Sequence, residues 1–450
     1  MKNPRRFIDL PIKFERIDWL LAGLVFSAAF LPRLAWALSD HPPPFSDMED
    51  YYRCAVEFLR GGYLAQSPDR LAYRTPGYPL FLSTVLSLAP FSSLQAVRLS
   101  QALLGALSAV LVSLNVYLIT QGKDNSLSQA SWQPARWIAA AAGLLFALSS
   151  GQVFFTGVLM TETLFVFMLL VWSVWMLCLP HGAGWLSLAG FSLWLGLMSL
   201  VKPIALFFLP IVVFKTLQGL PRSQWLRRGW LPLSAWLYPI LPWTIRNALV
   251  LGHFVFLSTN SGVNVYIGHL PNFSYWNTGG KEIVRQEIRN RVGPNEVLED
   301  RVLLRQGLKN LFDHPDRILP NAANKLYYLY VLDKPPWPWS EYVFRPNQPP
   351  APIVNWPLIH WMPIYIPLIL AGIVFASYRR LPQGGWLAML GLYTFACLVF
   401  FARTRFRMPI EPFLDIYLAI GAFSLVEMAI HGYRISRNWR RGSPDPPHSP

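Results

Sequence analysis

Three carboxylates fall within four residues in the stretch PFSDMEDYYRCAVEFLRGGY, residues 44–63: Asp47, Glu49 and Asp50. Carboxylates at that density suit a general base that takes a hydroxyl proton, or ligands for a divalent ion. Asp47 is equally suited to cap the helix that begins MEDYYRCAVEFL. Other unusual polar residues are scattered along the chain: Arg74 in YRTPGYPLF, Glu162 in VLMTETLFVF, Lys202 in SLVKPIALF, Arg246 and Asn247 in LPWTIRN, and Arg403, Arg405 and Arg407 in ARTRFRMP. Each borders an apolar run, and an ionisable group at membrane depth costs several kcal/mol unless it is paired. Arginine suits phosphate through its planar fork of donors. The chemistry implied is acidic groups facing cationic groups at a membrane surface. A lipid-linked phosphate is the natural anionic partner, with its tail in the bilayer and its head among these side chains.

The elements that must position these residues are helices. Hydrophobic residues make up 53% of the 450 and charged residues only 14%, against about 25% charged in a soluble domain. The composition predicts an all-α polytopic membrane protein. About 20 apolar residues are needed per span, and ten spans are expected: 18–38, 96–120, 136–154, 158–179, 185–201, 203–217, 231–250, 356–377, 386–402 and 409–430. The 19 Trp and 39 Pro fit this reading, since Trp gathers at interfaces and Pro is tolerated in such helices. Lys and Arg concentrate at both ends of the chain and in alternate loops, so both termini are expected in the cytoplasm. The first apolar run is too long for a cleaved signal. The net charge of +15 sits mostly in loops, where headgroups and topology explain it, and nucleic acid is not implied. Cys54, Cys178 and Cys397 form no CxxC pair, and His253, His269 and His314 have no metal-ligand spacing.

This divides the chain into a cytoplasmic basic tail (1–17) and a catalytic transmembrane module (18–250) whose first outer loop, 39–95, is made of short helices. A larger extracytoplasmic segment (251–355) is the expected acceptor region. C-terminal transmembrane helices (356–432) and a cytoplasmic disordered tail (433–450) follow. On this map the carboxylate cluster, Arg74, Glu162, Lys202, Arg246, Asn247 and the last arginines all lie on the outer side. Three arginines in five residues there break the topology rule, which makes them a functional signal. The aromatic runs LYYLYVLDKPPWPWSEYVF and NWPLIHWMP read as an interfacial belt, with sugar stacking on Trp337 or Trp339 as the alternative. Asn272 in NFS formally matches a glycosylation acceptor.

Several spaced motifs resemble the C-type glycosyltransferases, in the branch of protein O-mannosyltransferases and bacterial aminoarabinose transferases. SDMEDYYRCAVEFLRGGY resembles the first outer loop of that family, and RTPGYPLFL its Arg-x-Pro-Gly-Tyr-Pro signature. MTETLFVF resembles its Thr-Glu pair, and LVKPIALFFLP its Arg-Pro motif, with Lys202 where Arg is usual. LPWTIRNALVLGHFVFLSTNSGVNVYIG, FDHPDRILPNAANKL and RFRMPIEPFL complete the series, which spans most of residues 40–420. The resemblance implies an inverting glycosyltransferase that moves a sugar from a polyprenyl-monophosphate donor to an extracytoplasmic glycan, glycolipid or protein hydroxyl. It implies Asp47 as general base, with Asp50 or Glu49 as the alternative.

Glu162 is a further catalytic candidate, or a partner of Lys202 or Arg246. Lys202, Arg246, Arg405 and Arg407 are the expected donor-phosphate ligands, with headgroup snorkelling the alternative for the last arginines. Tyr51, Arg74 and Asn247 are expected to position the acceptor or the loop, and Arg74 alternatively pairs with a first-loop acid. No metal is expected, although Asp47 and Glu49 are suited to a divalent ion. A bacterial inner membrane is the expected location. The rival class is a transporter or flippase of a lipid-linked saccharide. That class favours midplane charges and repeats, neither of which the sequence displays. A scaffold that had lost catalysis would be expected to lose Asp47.

Overall fold

Long apolar runs with small residues at their contact faces fold here as helices packed through Ala, Gly and Ser. The computed structural model describes residues 14–89, 93–120, 134–180, 183–218, 221–270, 280–331 and 362–440. Asn272, Trp337, Trp339, most of the basic N-terminal tail, the start of the span expected from 356 and the end of the tail lie outside them. Among the described residues there is no strand, only an isolated bridge between Ser67 and Arg70.

In chain order the helices are α1 (Arg16–Leu38), α2 (Asp47–Leu59), α3 (Gly77–Leu88), α4 (Leu94–Thr120), α5 (Pro134–Ala147), α6 (Ser150–Gly157), α7 (Thr161–Cys178) and α8 (Trp185–Val201). A 3-10 turn, Pro203–Phe208, leads into α9 (Leu209–Leu217). Then come α10 (Trp225–Leu237), α11 (Leu241–Leu251), α12 (Ser261–Gly268), α13 (Gly280–Val292), α14 (Glu296–Asp313) and α15 (Ile318–Leu326). The described chain closes with α16 (Met362–Tyr378), α17 (Gly384–Val399), a 3-10 turn at Thr404–Arg407 and α18 (Glu411–Arg440).

Among the described residues, α1, α4, α7 and the Glu411–Ile430 part of α18 are each long and apolar enough to cross a bilayer, and α5 with α6 form an apolar pair bent by 52°, either a broken span or a re-entrant loop. The chain is an integral membrane protein. Four of the ten expected spans therefore have that length, a fifth is the bent pair, and four others are shorter apolar helices: α8, the turn with α9, α16 and α17. The stretch expected as one span at 231–250 is divided between α10 and α11. Pro239 and Pro242 lie at the break, and proline removes the backbone donors that a continuous helix needs.

The bend between α5 and α6 exposes backbone carbonyls inside the bundle, where water cannot satisfy them. Arg33, buried on α1, donates to the carbonyls of Ala147 (2.7 Å) and Phe146 (3.4 Å), closing the end of α5. Ser149 caps α6 by accepting from the Gln152 N–H. Gln101 on α4 donates to the Thr156 and Val158 carbonyls at the far end of α6. The main core runs through α1, α4, α5, α7, α8, α17 and α18. A second apolar cluster joins α2 and α3 to α6, and this cluster holds the carboxylate segment against the bundle.

Candidate functional site

Helix α2 begins at Asp47, immediately after Ser46, whose φ of 50° lies in the left-handed region. A non-glycine residue there is strained, and the turn it makes sets the direction in which α2 starts. Asp47 and Asp50 stand three residues apart and so share one helix face. Met48, Tyr51, Cys54 and Ala55 are buried and fix that face. Arg74 bridges the two carboxylates. Its Nη2 donates to Asp47 Oδ1 at 2.5 Å and to Asp50 Oδ2 at 2.8 Å, and its Nε donates to Asp50 Oδ2 at 3.2 Å. Its guanidinium lies 5.0 Å from the ring centres of both Tyr51 and Tyr73, within cation–π range. Asp50 also accepts from Gln66.

Arg405, from the turn between α17 and α18, donates from Nη1 to Asp47 Oδ2 at 3.0 Å. Lys202, at the end of α8, donates to Glu162 Oε1 at 3.0 Å, and Glu162 is 2% exposed. Phe406 stands against both Lys202 and Arg405. Gly77 makes this assembly possible. A Cβ there would lie 2.7 Å from Leu200 C, Leu200 O and Val201 N. Without one, α3 seats directly on the end of α8, and Thr75 donates to the Val201 carbonyl. The signature RTPGYP thus joins Arg74 to the strip of chain that carries Lys202.

The environment pushes the two aspartates apart. Burial favours the neutral form of Asp47, but Arg74 and Arg405 outweigh it and hold this carboxyl well below the usual carboxylate range. Burial dominates at Asp50. Arg74 only partly offsets it, the charge of Asp47 adds to it, and the carboxyl is raised. Paired carboxyls whose environments separate their affinities for the proton are a common basis for distinct acid and base roles.

A cavity of about 450 Å³ opens onto this cluster. Asp47, Tyr51, Arg74, Glu162, Lys202 and Arg405 form its charged wall. Ile204, Leu206, Phe207, Phe400 and Phe401, from the turn before α9 and the end of α17, form an apolar wall. Asn260, Ser261, Asn264, Asp300 and Arg301, from α12 and α14, form a third. Among the described residues lining the cavity, Asp50, Arg246, Asn247 and Arg407 are not found. Asp50 faces a separate small hollow beside Gln66, Arg70 and Arg289.

Arg246 stacks on Trp243 at 4.7 Å and donates to the carbonyls of Leu71 (2.7 Å) and Leu64 (3.4 Å). Asn247, fully buried, donates to the Val255 carbonyl at 3.2 Å. Arg246 ties the segment after α2 to α11, and Asn247 ties α11 to the segment that follows it. Arg407 is 3% exposed and ends the turn before α18, where its charge and that of Glu411 act on Asp415.

Sequence reading missed Glu296. Its Oε1 accepts from the Leu71 and Ala72 N–H groups at 2.8 and 2.9 Å, and its Oε2 accepts from Thr259 Oγ1 at 2.6 Å. It straps the segment before Arg74 to α14 and to the loop before α12. The only sequence signal was NEVLED, which reads as an ordinary helix start, and Asn295 does cap α14. Among the described residues no group of three or more His, Cys, Asp or Glu side chains gathers as a metal site.

No protein-family model and no curated protein matches the sequence. Solved structures do. The chain is similar to the oligosaccharyltransferase of Archaeoglobus fulgidus in its apo form, at 16% identity and a TM-score of 0.50 over 95% of this chain and 52% of that one. The A. fulgidus oligosaccharyltransferase AglB in complex with an inhibitory peptide and a dolichol-phosphate matches at 16% identity and a TM-score of 0.47, over 96% of this chain and 53% of that one. ArnT from Cupriavidus metallidurans, bound to undecaprenyl phosphate, matches at 15% identity and a TM-score of 0.39 over 90% and 77% of the two chains. The chain spans about half the length of the archaeal enzyme. The first of these likenesses carries the fold assignment: the chain has the fold of the C-type glycosyltransferases.

Proposed function

We propose that this protein is a membrane glycosyltransferase that moves a sugar from a polyprenyl-monophosphate carrier to a hydroxyl of a glycan, glycolipid or protein. One observation carries this reading: Asp47, Arg74, Lys202 and Arg405 face a single cavity whose adjoining wall is apolar. A phosphate with a long hydrocarbon tail matches those two walls: Arg405 and Lys202 each donate to one carboxylate and carry further N–H donors for its oxygens. On the spans read from the sequence, the cavity opens on the extracytoplasmic face of a bacterial inner membrane, with both termini inside.

In this mechanism the Asp47 carboxylate accepts the proton of the acceptor hydroxyl. The hydroxyl oxygen attacks the anomeric carbon from the face opposite the phosphate and forms the new glycosidic bond. The bond between that carbon and the phosphate oxygen breaks, the electron pair leaves with the polyprenyl phosphate, and the centre inverts. Lys202 and Arg405 stabilise the charge that develops on the leaving phosphate, in a site with little water. Arg405 also holds Asp47, so a phosphate that draws Arg405 to itself returns basicity to the carboxylate. Glu162 then acts by holding Lys202 in place. Asp50 lies on the far side of Arg74 and orients it. The chemistry needs an ionised base and a paired cation for the leaving group, and the charged wall offers both.

The test is transfer in membranes supplied with undecaprenyl-phosphate-linked sugars, read by mass spectrometry of endogenous acceptors, for the wild type beside Asp47→Asn. A hexose or pentose adduct with the wild type, lost by 100-fold or more in a folded Asp47→Asn protein, is the expected result. Wild-type transfer by Asp47→Asn overturns the assignment of the base. Movement of lipid-linked saccharide across the membrane without any transfer overturns the enzyme.

A further inference from the structure

The third wall of the cavity adds two side-chain amides, Asn260 and Asn264, to Ser261, Asp300 and Arg301, and its chemistry differs from the other two. Asn260 immediately precedes α12 and Asn264 lies one turn further on, so the two amides share a helix face. Both line the cavity, and both are partly exposed to it. Neither side chain has a hydrogen-bond partner among the described residues, and Asn260 makes no cap bond to the helix that follows it. Their placement is rigid. Asp300 on α14 accepts from Gly262 N–H at 2.6 Å and from Ser261 Oγ at 3.1 Å, pinning the start of α12. Gly262 packs against the Asp300 backbone, and Thr259 is tied to Glu296. A side-chain amide offers both an acceptor oxygen and two donor hydrogens. Two such groups at fixed spacing complement vicinal hydroxyls, each of which also donates and accepts.

We propose that Asn260 and Asn264 form a saccharide-reading pair that selects which sugar the site accepts, a role that rests on the glycosyltransferase reading above. With the phosphate at the charged wall and the tail along Leu206, Phe207 and Phe400, this is the wall that remains for a sugar ring. The hydroxyls it contacts belong to the donor sugar or to an acceptor glycan, and the two sources separate experimentally.

The full chain in detergent is titrated with undecaprenyl phosphate alone and with undecaprenyl phosphate carrying glucose, galactose, mannose or arabinose, with binding read by native mass spectrometry. Transfer is read in membranes as above. If the pair reads the donor, the Asn260→Ala/Asn264→Ala variant loses about 10-fold or more of its affinity for the sugar-bearing lipids that the wild type prefers, and binds undecaprenyl phosphate as before. If it reads the acceptor, the variant binds every lipid as the wild type does, and the adduct falls by a similar factor. Wild-type binding and wild-type transfer by the variant overturn the proposal, as does an equal loss of affinity for undecaprenyl phosphate and its sugar-bearing forms. If the double variant does not fold, Asn264→Asp, of the same shape but with no amide donor, is read against the same outcomes. Failure of the glycosyltransferase reading looks different, because the wild type itself then makes no adduct, whether or not it binds the lipids.

Discussion

Arg74→Met removes the guanidinium that joins Asp47 to Asp50. Asp47 keeps Arg405 at 3.0 Å, but Asp50 keeps only the Gln66 amide. Two carboxylates on one turn of α2 then keep one hydrogen-bonded cation, Arg405 on Asp47, while Arg70 acts on Asp50 only through its charge. Breaking a fully buried ion pair from one side costs about 3–5 kcal/mol. Here the side chains of Asp47 and Asp50 are 24% and 18% exposed, so water takes up part of the loss and about 2–3 kcal/mol is expected. Asp50→Asn alone removes a charge that burial already disfavours, and costs about 1 kcal/mol through its lost charged hydrogen bonds. In the double variant the neutral amide no longer needs Arg74. The combined cost then falls short of the sum of the single costs by about 1 kcal/mol or more. Equilibrium unfolding of the four proteins in mixed micelles at pH 7 measures that difference. Additive effects, within about 0.5 kcal/mol, would refute the bridge, because two residues that share no interaction add.

The two aspartates also give stability opposite slopes with pH. Asp47 has a folded pKa below its unfolded value, so its contribution is present above about pH 4 and is lost as pH falls through the lower, folded value. Asp50 has a raised folded pKa, so its contribution is complete below about pH 4 and is lost as pH rises through the folded value; an unfolding series across pH 3–8 should flatten on the alkaline side in Asp50→Asn. Gly77→Ala places a Cβ 2.7 Å from backbone atoms of Leu200 and Val201, and the overpacking should cost about 1–3 kcal/mol and lower transfer with it, both measured on purified protein. Glu296→Ala orphans two N–H groups and a hydroxyl, with an expected cost of about 3 kcal/mol. Faster proteolytic cleavage between α2 and α3 should accompany it, and cleavage at the wild-type rate would show that the strap does not hold that segment.

The helices were legible wherever an apolar run was long enough to cross hydrocarbon. The runs at 18–38, 96–120, 158–179 and 409–430 reappear as α1, α4, α7 and α18, because length and composition alone decide whether a helix can cross hydrocarbon. The bend at Leu148–Ser149 was not legible. It depends on Arg33 and Gln101, from distant helices, supplying donors to freed carbonyls, and no local pattern announces such partners. In the site, the residue types were legible but the pairings were not. Periodicity places Asp47 and Asp50 on one face, yet only the fold brings Arg405 to Asp47 across 358 positions of sequence. Arg246 and Arg407 carry the same sequence signal as Arg405, a cation beside an apolar run. The fold uses one to clamp the segment after α2 and buries the other away from the cavity lining. Glu296 carried only the signal of an ordinary helix start, and the α12 amides lay within the motif ending STNSGVNVYIG without being singled out in it.

The charged wall draws one member from each of several distant segments: Asp47 from α2, Arg74 before α3, Glu162 from α7, Lys202 after α8 and Arg405 before α18. Each is anchored by something other than its ionic partner. Buried aromatics seat α2, Gly77 seats α3, and Phe406 braces the two cations on one side. Such anchoring matters because a carboxylate and a cation free to move would collapse into the best ion pair available and stay there. Held at their backbones, Arg405 and Lys202 remain within reach of a phosphate as well as of Asp47 and Glu162, so exchange between partners needs side-chain rotation rather than movement of helices. A phosphate carries more charge than a carboxylate and accepts the arginine fork equally well. On the proposed function, it therefore competes directly for the cations that keep Asp47 weakly basic. The same arginines that hold the carboxylate ionised are thus able, on this reading, to tie its basicity to arrival of the donor.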